Sequence, residues 1–230
     1  VLLSATLFAQ NAETTFQNGL TKYQEGDYEN AIVDFSKVIQ QEPQQANAYF
    51  NRGRARHHLG DFDGANADYL KVLSITPNDA QAIYNQGLVK LDQEKFEEAS
   101  GHFSKAMELD PQNELAHFQR GIAEMNLGNH YAAIYYFTKT LELDMENVDA
   151  YYYRGLAKRD VKDFYGSIAD FSTVIEAAPD FVEAWYYRGY SKSDVKEYEE
   201  AIKDFNKVLE LAPTDTEAIS ERAYAKYQLF

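Results

Sequence analysis

Cysteine is absent from the 230 residues. Its absence excludes disulfides, thiol catalysis, iron–sulfur clusters and cysteine-based zinc sites, while leaving the compartment open, since exported and cytosolic proteins alike can lack it. Basic charge is also short: 22 lysines and arginines stand against 37 aspartates and glutamates, a formal net charge of −15. That excess argues against binding nucleic acid or an anionic membrane through a broad basic face. Long hydrophobic runs are missing too. The uncharged stretch at residues 1–10, VLLSATLFAQ, is far shorter than the roughly 20 residues of a bilayer span. No HExxH, glycine-rich phosphate loop or nucleophile elbow occurs. The histidines, His57, His58, His102, His117 and His130, show no metal-ligand spacing, and on a helix the adjacent His57 and His58 point about 100° apart. The pairs Glu97-Glu98 and Glu199-Glu200 fall at predicted helix starts, where they complement the helix dipole. No enzyme, cofactor or metal is therefore expected. Hydrophobic residues at 45% and charged ones at 26% are the balance of a folded chain.

Prolines and glycines are few, five and twelve, yet their positions carry the organisation. Pro43, Pro77 and Pro111 are 34 apart, as are Pro179 and Pro213, with Met145 where a proline would fall between them. Gly19, Gly53, Gly87, Gly121, Gly155 and Gly189 keep the same spacing. So do Ala31, Ala65, Ala99, Ala133 and Ala201, with Ser167 in the remaining slot. A fourth series is Phe35, Tyr69, Phe103, Phe137, Phe171 and Phe205. Six units follow without insertion or deletion: residues 12–45, 46–79, 80–113, 114–147, 148–181 and 182–215, preceded by an apolar segment 1–11 and followed by 216–230. A unit of this length buries its apolar face only by stacking on its neighbours.

Each unit reads as two helices, in the second unit roughly 46–59 and 63–75, with Gly60-Asp61 as the turn. Proline then opens the next connection because it cannot continue a helix. A glycine in mid-helix costs about 1 kcal/mol relative to alanine, so its sixfold repetition requires a packing reason. The small residue of the Ala31 series is expected opposite it, letting the backbones approach, with the Phe35-series ring filling the adjacent space. Bulky residues near the turn, Tyr28, Phe62, Phe96, Tyr131, Phe164 and Tyr198, are expected to close the other end. Arg52, Arg154 and Arg188 are each followed sixteen residues later by Asp68, Asp170 and Asp204, and in the third unit both partners change, to Gln86 and His102. That covariation implies ion pairs, either inside a unit or between neighbours, as Asp34 with Arg52 and Asp204 with Arg222.

In these features the chain resembles the tetratricopeptide repeat (TPR) family, a 34-residue helix–turn–helix with small residues at unit positions 8 and 20, aromatics at 17 and 24 and proline at 32. With Ala12 as position 1, the match extends over 204 of the 230 residues. Met145, Ser167 and, at position 15, Glu94, Lys162 and Lys196 depart from the pattern and are expected to loosen local turns. The resemblance implies an all-α fold, a right-handed α-solenoid of six TPR units plus a C-terminal capping helix at 216–230, or the start of a seventh unit there. Glu217, Ser220, Glu221, Lys226 and Gln228 suit such a cap.

It also implies a non-catalytic scaffold that binds a protein or peptide in a concave groove built from positions 2, 5, 9, 12 and 13 of the first helices. Position 5 is aromatic throughout: Phe16, Phe50, Tyr84, Phe118, Tyr152 and Tyr186. Position 9, after Leu20, holds Arg54, Leu88, Ile122, Leu156 and Tyr190, and Asn51 adds a polar contact. The rings serve either as helix–helix packing or as a ladder of flat surfaces for a peptide. The Lys and Asn clamp of chaperone-tail-binding TPR domains is missing, so that ligand is not expected. The polar lining is uneven: Asn47, Asn51, Arg54, His57 and His58 in the second unit, but Asp149, Asp160, Glu183 and Asp194 against Arg159 in the fifth and sixth. A peptide acidic near one end and basic near the other would suit it. Residues 131–190 carry 15 of the 33 aromatics; six of them, Tyr131, Phe137, Tyr151, Phe164, Phe171 and Trp185, occupy template core positions. Of the others, Tyr152, Tyr186 and Tyr190 are expected to make the main peptide contact, and Tyr135 to lie on an outer surface.

Residues 1–10 read either as the end of a secretory h-region with a cleavage zone ending at Ala9, or as an apolar helical extension of the first unit. The first reading places the protein in the periplasm or envelope, the second in the cytoplasm. Two functional alternatives stand beside the scaffold: a substrate-presenting region of a larger enzyme, and a periplasmic holdase for unfolded clients.

Overall fold

The computed structural model describes the backbone of residues 2–230 and the side chains of residues 11–230. The expected cleavage zone around Ala9 therefore falls outside the described side chains. The described residues form thirteen helices and no strand. They are α1 (Leu2–Gln24), α2 (Tyr28–Gln41), α3 (Ala46–His58), α4 (Phe62–Ile75), α5 (Ala80–Asp92), α6 (Phe96–Leu109) and α7 (Glu114–Asn126), then α8 (His130–Leu143), α9 (Val148–Asp160), α10 (Phe164–Ala177), α11 (Val182–Asp194), α12 (Tyr198–Leu211) and α13 (Thr216–Tyr227). Inside each of the two bodies the helices pack in sequence: α1 with α2, α3 with α4 and α5 with α6 in the first, α9 with α10 and α11 with α12 in the second, and α2, α4, α8, α10 and α12 each on the helix that follows. The chain divides into two compact bodies, residues up to Ala116 and residues from His117 onward, with the division inside the first turn of α7. No signal in the regular 34-residue register marks that division.

The turn inside each unit is fixed by backbone hydrogen bonds. After α3, Gly60 N–H donates to His57 O and Asp61 N–H to Arg56 O, both at 2.9 Å, with Gly60 at φ +76°. This is a Schellman ending, which requires a left-handed residue. Glu94, Lys162 and Lys196 were expected to loosen it. Instead they adopt φ +57°, +63° and +66° and keep the same bonds, Lys162 N–H to Arg159 O at 2.8 Å among them. The turn is thus intact and the backbone strain is carried by the non-glycine residue, at about 1 kcal/mol or more each. Asp27, Asp61 and Asp163 then cap α2, α4 and α10 by accepting from the backbone N–H of Asn30, Gly64 and Gly166. Met145 in the proline slot is exposed, and α8 ends at Leu143 regardless.

The rings of the Phe35 series form the core, all at 0% exposure. Each lies directly against its unit's mid-helix glycine: a Cβ added at Gly87 would sit 2.6 Å from Phe103 Cε1, and one at Gly155 would sit 3.0 Å from Phe171 Cε1. The glycine therefore makes room for the aromatic face itself, more directly than for the alanine expected opposite. Ser167, in the alanine slot, is buried and hydrogen-bonded to Ser191 Oγ at 3.0 Å. Tyr131, expected at the core, is 76% exposed. The in-register residue is His130, one place earlier, and its Nδ1 lies 3.1 Å from Asp160 Oδ2.

The arginine–aspartate pairs form inside units. Arg52, Arg154 and Arg188 each grip Asp68, Asp170 and Asp204 in two parallel bonds of 2.7 and 2.9 Å. A second cation one turn on, Arg56, Lys158 or Lys192, reaches the same carboxylate at 2.8 Å. A third N–H of each guanidinium, on Nη1, donates to the preceding unit, at Ser36, Thr138 and Ser172. Asp34 does not face Arg52, as one alternative had it; Lys22 and Lys37 hold it. Arg222 likewise meets Asn206 and not Asp204.

Candidate functional site

Position 5 of every first helix turns its ring toward the core. Phe16, Phe50, Tyr84, Phe118, Tyr152 and Tyr186 lie 5.6–6.1 Å from Phe35, Tyr69, Phe103, Phe137, Phe171 and Phe205, at tilts of 50–59°. Such tilted pairs let a ring edge meet a ring face. Five of the six keep part of the ring accessible, whereas Tyr84 is buried. Burial raises the Tyr84 hydroxyl to about 12. Tyr186 also rises to about 12, through burial first and then the charges of Glu221 and Glu217. Leu88, Ile122, Leu156 and Tyr190 are half-buried beside these rings. Tyr153 and Tyr187, which the sequence left without a core role, stack on Phe137 and Phe171 of the preceding unit at 5.9 and 5.8 Å, both at 21°. They are joints between units. Tyr135 is exposed on α8, as its position implies.

In the first body the helices α1, α3 and α5 bring Tyr23, Arg54, His57, His58, Asn85, Leu88 and Asp92 around one cleft. Arg54 lies 4.7 Å over the Tyr23 ring. His58 stacks on Tyr28 at 4.6 Å and 4°, and its Nε2 is 2.8 Å from the Tyr23 hydroxyl. Burial, helped by the charges of His57 and Arg54, pushes His58 below its usual 6.5, so the ring is neutral at pH 7. His57 turns the other way, to Asp92 at 2.7 Å, and the two imidazoles share no ligand. Among the described residues no cluster of three metal-ligating side chains occurs.

Asn51 and Asn85 sit at the same unit position, 34 residues apart. Each donates one Nδ2 hydrogen to the carbonyl four residues earlier, Asn47 O and Gln81 O, at 2.8 Å. The other amide hydrogen and the carbonyl oxygen are left for solvent or a ligand. Asn85 was not singled out from the sequence, although Gln17, Asn51, Asn85 and Gln119 form a readable 34-residue series of amides.

In the second body α9, α11 and α13 gather the tyrosines and carboxylates. Arg159, which the sequence left standing alone against acids, is already engaged: it donates to Ser191 Oγ and Asp194 Oδ2 at 3.0 and 3.1 Å and lies 4.1 Å over the Tyr190 ring. Tyr152 packs 4.9 Å from Phe181, and burial raises its hydroxyl pKa well above the ordinary value. The arrangement presents half-buried rings, amides and paired charges on the first helices.

Models of the tetratricopeptide repeat match residues 46–79, 84–148 and 182–215, and a model described as TPR repeat matches 19–60. No curated protein matches the chain. Among solved structures, YrrB, described as a TPR protein with an unusual peptide-binding site, is 23% identical with a TM-score of 0.75, covering 82% of this chain and 97% of its own. MamA protein is 27% identical with a TM-score of 0.69, over 75% of this chain and 94% of its own. The pilF protein of Pseudomonas aeruginosa is 17% identical with a TM-score of 0.79, over 94% and 99%. With repeat matches spread along its length and this shared architecture, the chain belongs to the tetratricopeptide repeat family, whose members are generally non-catalytic scaffolds for protein or peptide partners.

Proposed function

We propose that this protein is a scaffold that holds an extended segment of a partner protein against its first helices, and that it catalyses no reaction. The observation that carries the reading is the amide pair Asn51 and Asn85, in register and each with hydrogen-bonding capacity to spare, Asn85 lining the cleft beside Arg54. An extended peptide has unpaired backbone N–H and C=O groups at regular intervals, and a carboxamide can donate to one and accept from the other. The half-buried rings at Phe50, Tyr152, Tyr186 and Tyr190 add apolar area with little conformational entropy to lose. YrrB shares the fold, and its peptide-binding site is its own; the support here comes from the residues just named. The acidic balance of −15 favours a protein partner over a nucleic acid.

Peptides selected from a random library against the full chain test the reading. Those that bind should lose about 1–2 kcal/mol of affinity on Asn85→Ala and about 2 kcal/mol or more on Tyr186→Ala, measured at a temperature where circular dichroism shows both variants folded. Undiminished binding by both variants would show that the first-helix face is not the site. The apolar stretch at residues 1–10 supports export to the periplasm or envelope as part of the proposal. N-terminal sequencing of the protein from its native source checks this, and finding residues 1–9 in place would remove it.

A further inference from the structure

The inner end of α11 and the facing side of α13 enclose a cleft lined by Tyr190, Ser193, Asp194, Lys196, Glu221 and Tyr224. Two groups in it are unsatisfied. The Ser193 hydroxyl is buried, with the residue at 7% exposure, and has no hydrogen-bond partner. The Glu221 carboxylate makes no ion pair and no hydrogen bond, although it is partly buried beside Asp194 and Glu217. Burial, then the charge of Asp194, holds its pKa above the usual carboxylate value, with the nearby Arg159 guanidinium pulling the other way. Asp194 is different, since Arg159 already bonds it at 3.1 Å. That arginine shows what the wall accepts: its guanidinium lies 4.1 Å over the Tyr190 ring.

We propose that this cleft receives a cationic side chain, lysine or arginine, from a partner segment. Its charged end would meet Glu221, donate to the free Ser193 hydroxyl and lie between the rings of Tyr190 and Tyr224. The chemistry selects a basic side chain over a metal ion, because two of the walls are aromatic and no cluster of three ligating side chains is present among the described residues. It selects against an acidic one by charge. Lys196 at the rim opposes the ligand and weakens the site without filling it. This inference rests on the first-helix face being the binding face, since Tyr190 and Tyr224 share one groove position on α11 and α13, and Glu221 stands on α13 where Asn51 and Asn85 stand in their units.

The test uses the full-length chain, isotopically labelled for amide NMR, and blocked alanine pentapeptides whose central residue is arginine, lysine, norleucine or glutamate. The arginine and lysine peptides should shift the amides around Ser193, Tyr190 and Tyr224, and the norleucine and glutamate peptides should not. Glu221→Gln should weaken the arginine peptide roughly fivefold, and Lys196→Ala should tighten it. Equal shifts from the norleucine peptide, unchanged affinity in Glu221→Gln, or no shift around Ser193 would overturn the inference. If the basic peptides shift only the amides near Asn85 and Leu88, the cation site falls while the wider groove reading survives.

Discussion

Gly87→Ala sets two known effects against each other. Alanine is favoured over glycine in a helix interior by about 1 kcal/mol, so at a site with open space the substitution stabilises. At Gly87 there is no open space. The new Cβ would lie 2.6, 2.8 and 3.0 Å from Cε1, Cδ1 and Cζ of Phe103, whose ring is at 0% exposure and has no solvent to move into. Displacing such a ring is an overpacking change of about 1–3 kcal/mol. Subtracting the propensity gain leaves a net loss of up to about 2 kcal/mol. Gly155→Ala provides the control, because its nearest Phe171 atoms stand at 3.0, 3.1 and 3.2 Å and need yield only a few tenths of an ångström. It should come out near neutral. Urea unfolding followed by circular dichroism would measure both. Amide hydrogen exchange would add the location, with lost protection concentrated around the third unit, as nearest-neighbour coupling requires. Gly87→Ala combined with Phe103→Leu should lose less than the sum of the two, since the smaller side chain removes the collision. A Gly87→Ala variant no more perturbed than Gly155→Ala would refute the argument that the ring makes the glycine necessary.

Lys196→Gly and Lys162→Gly should each raise stability by about 0.5–1 kcal/mol, read as a higher melting temperature, because glycine accepts the positive φ that lysine holds under strain. A lower melting temperature would show that the turns are unstrained. Asp34 is held below its usual pKa of 3.8, since hydrogen bonds and charge from Lys22 and Lys37 outweigh the upward push of burial. Its contribution is therefore present above pH 3.8 and lost as pH falls toward the lowered value, so Asp34→Asn should flatten the acid limb of the stability curve there; an unchanged limb would contradict this. Asp170→Ala strands Arg154 and Lys158 in a partly buried site and should cost about 3–5 kcal/mol in denaturant unfolding, whereas a loss under 1 kcal/mol would class the triad with exposed ion pairs.

The helix pairs were legible because the glycine and the ring impose a steric requirement on the same unit, and that requirement repeats every 34 residues. Single departures were harder to read. Tyr131 is bulky and adjacent to the right place, but on a helix one residue is a rotation of about 100°, enough to turn it from the core to solvent. The partner of Arg52 stayed open because sequence offers Asp34 and Asp68 on equal terms; only the fold shows that lysines already hold the first. At the candidate site, the aromatic positions were plain from spacing. That Tyr153 and Tyr187 spend their faces on neighbouring units, and that Glu221 is partly buried beside Asp194 with no ion pair of its own, depends on how successive helices stack, which no periodicity encodes.

The half-buried guanidiniums have a consequence for how such a chain can be rearranged. Each of Arg52, Arg154 and Arg188 spends two bonds at home and one on a hydroxyl of the unit before it. The third unit has Gln86 instead, which reaches Asn66 of its predecessor at 2.9 Å. A module is therefore cut to fit the module upstream as well as to close on itself. Duplicating residues 148–181 in tandem would set a second copy of Arg154 against Ser172, the hydroxyl that Arg188 uses now, and should splice cleanly. Inserting residues 80–113 at that same junction would set Gln86 against Ile168, which stands where Asn66 does in the second unit and offers no acceptor, and leave the seam unlocked. Although all six units share one length, they are not interchangeable bricks, and their order is written in the third bond of an arginine.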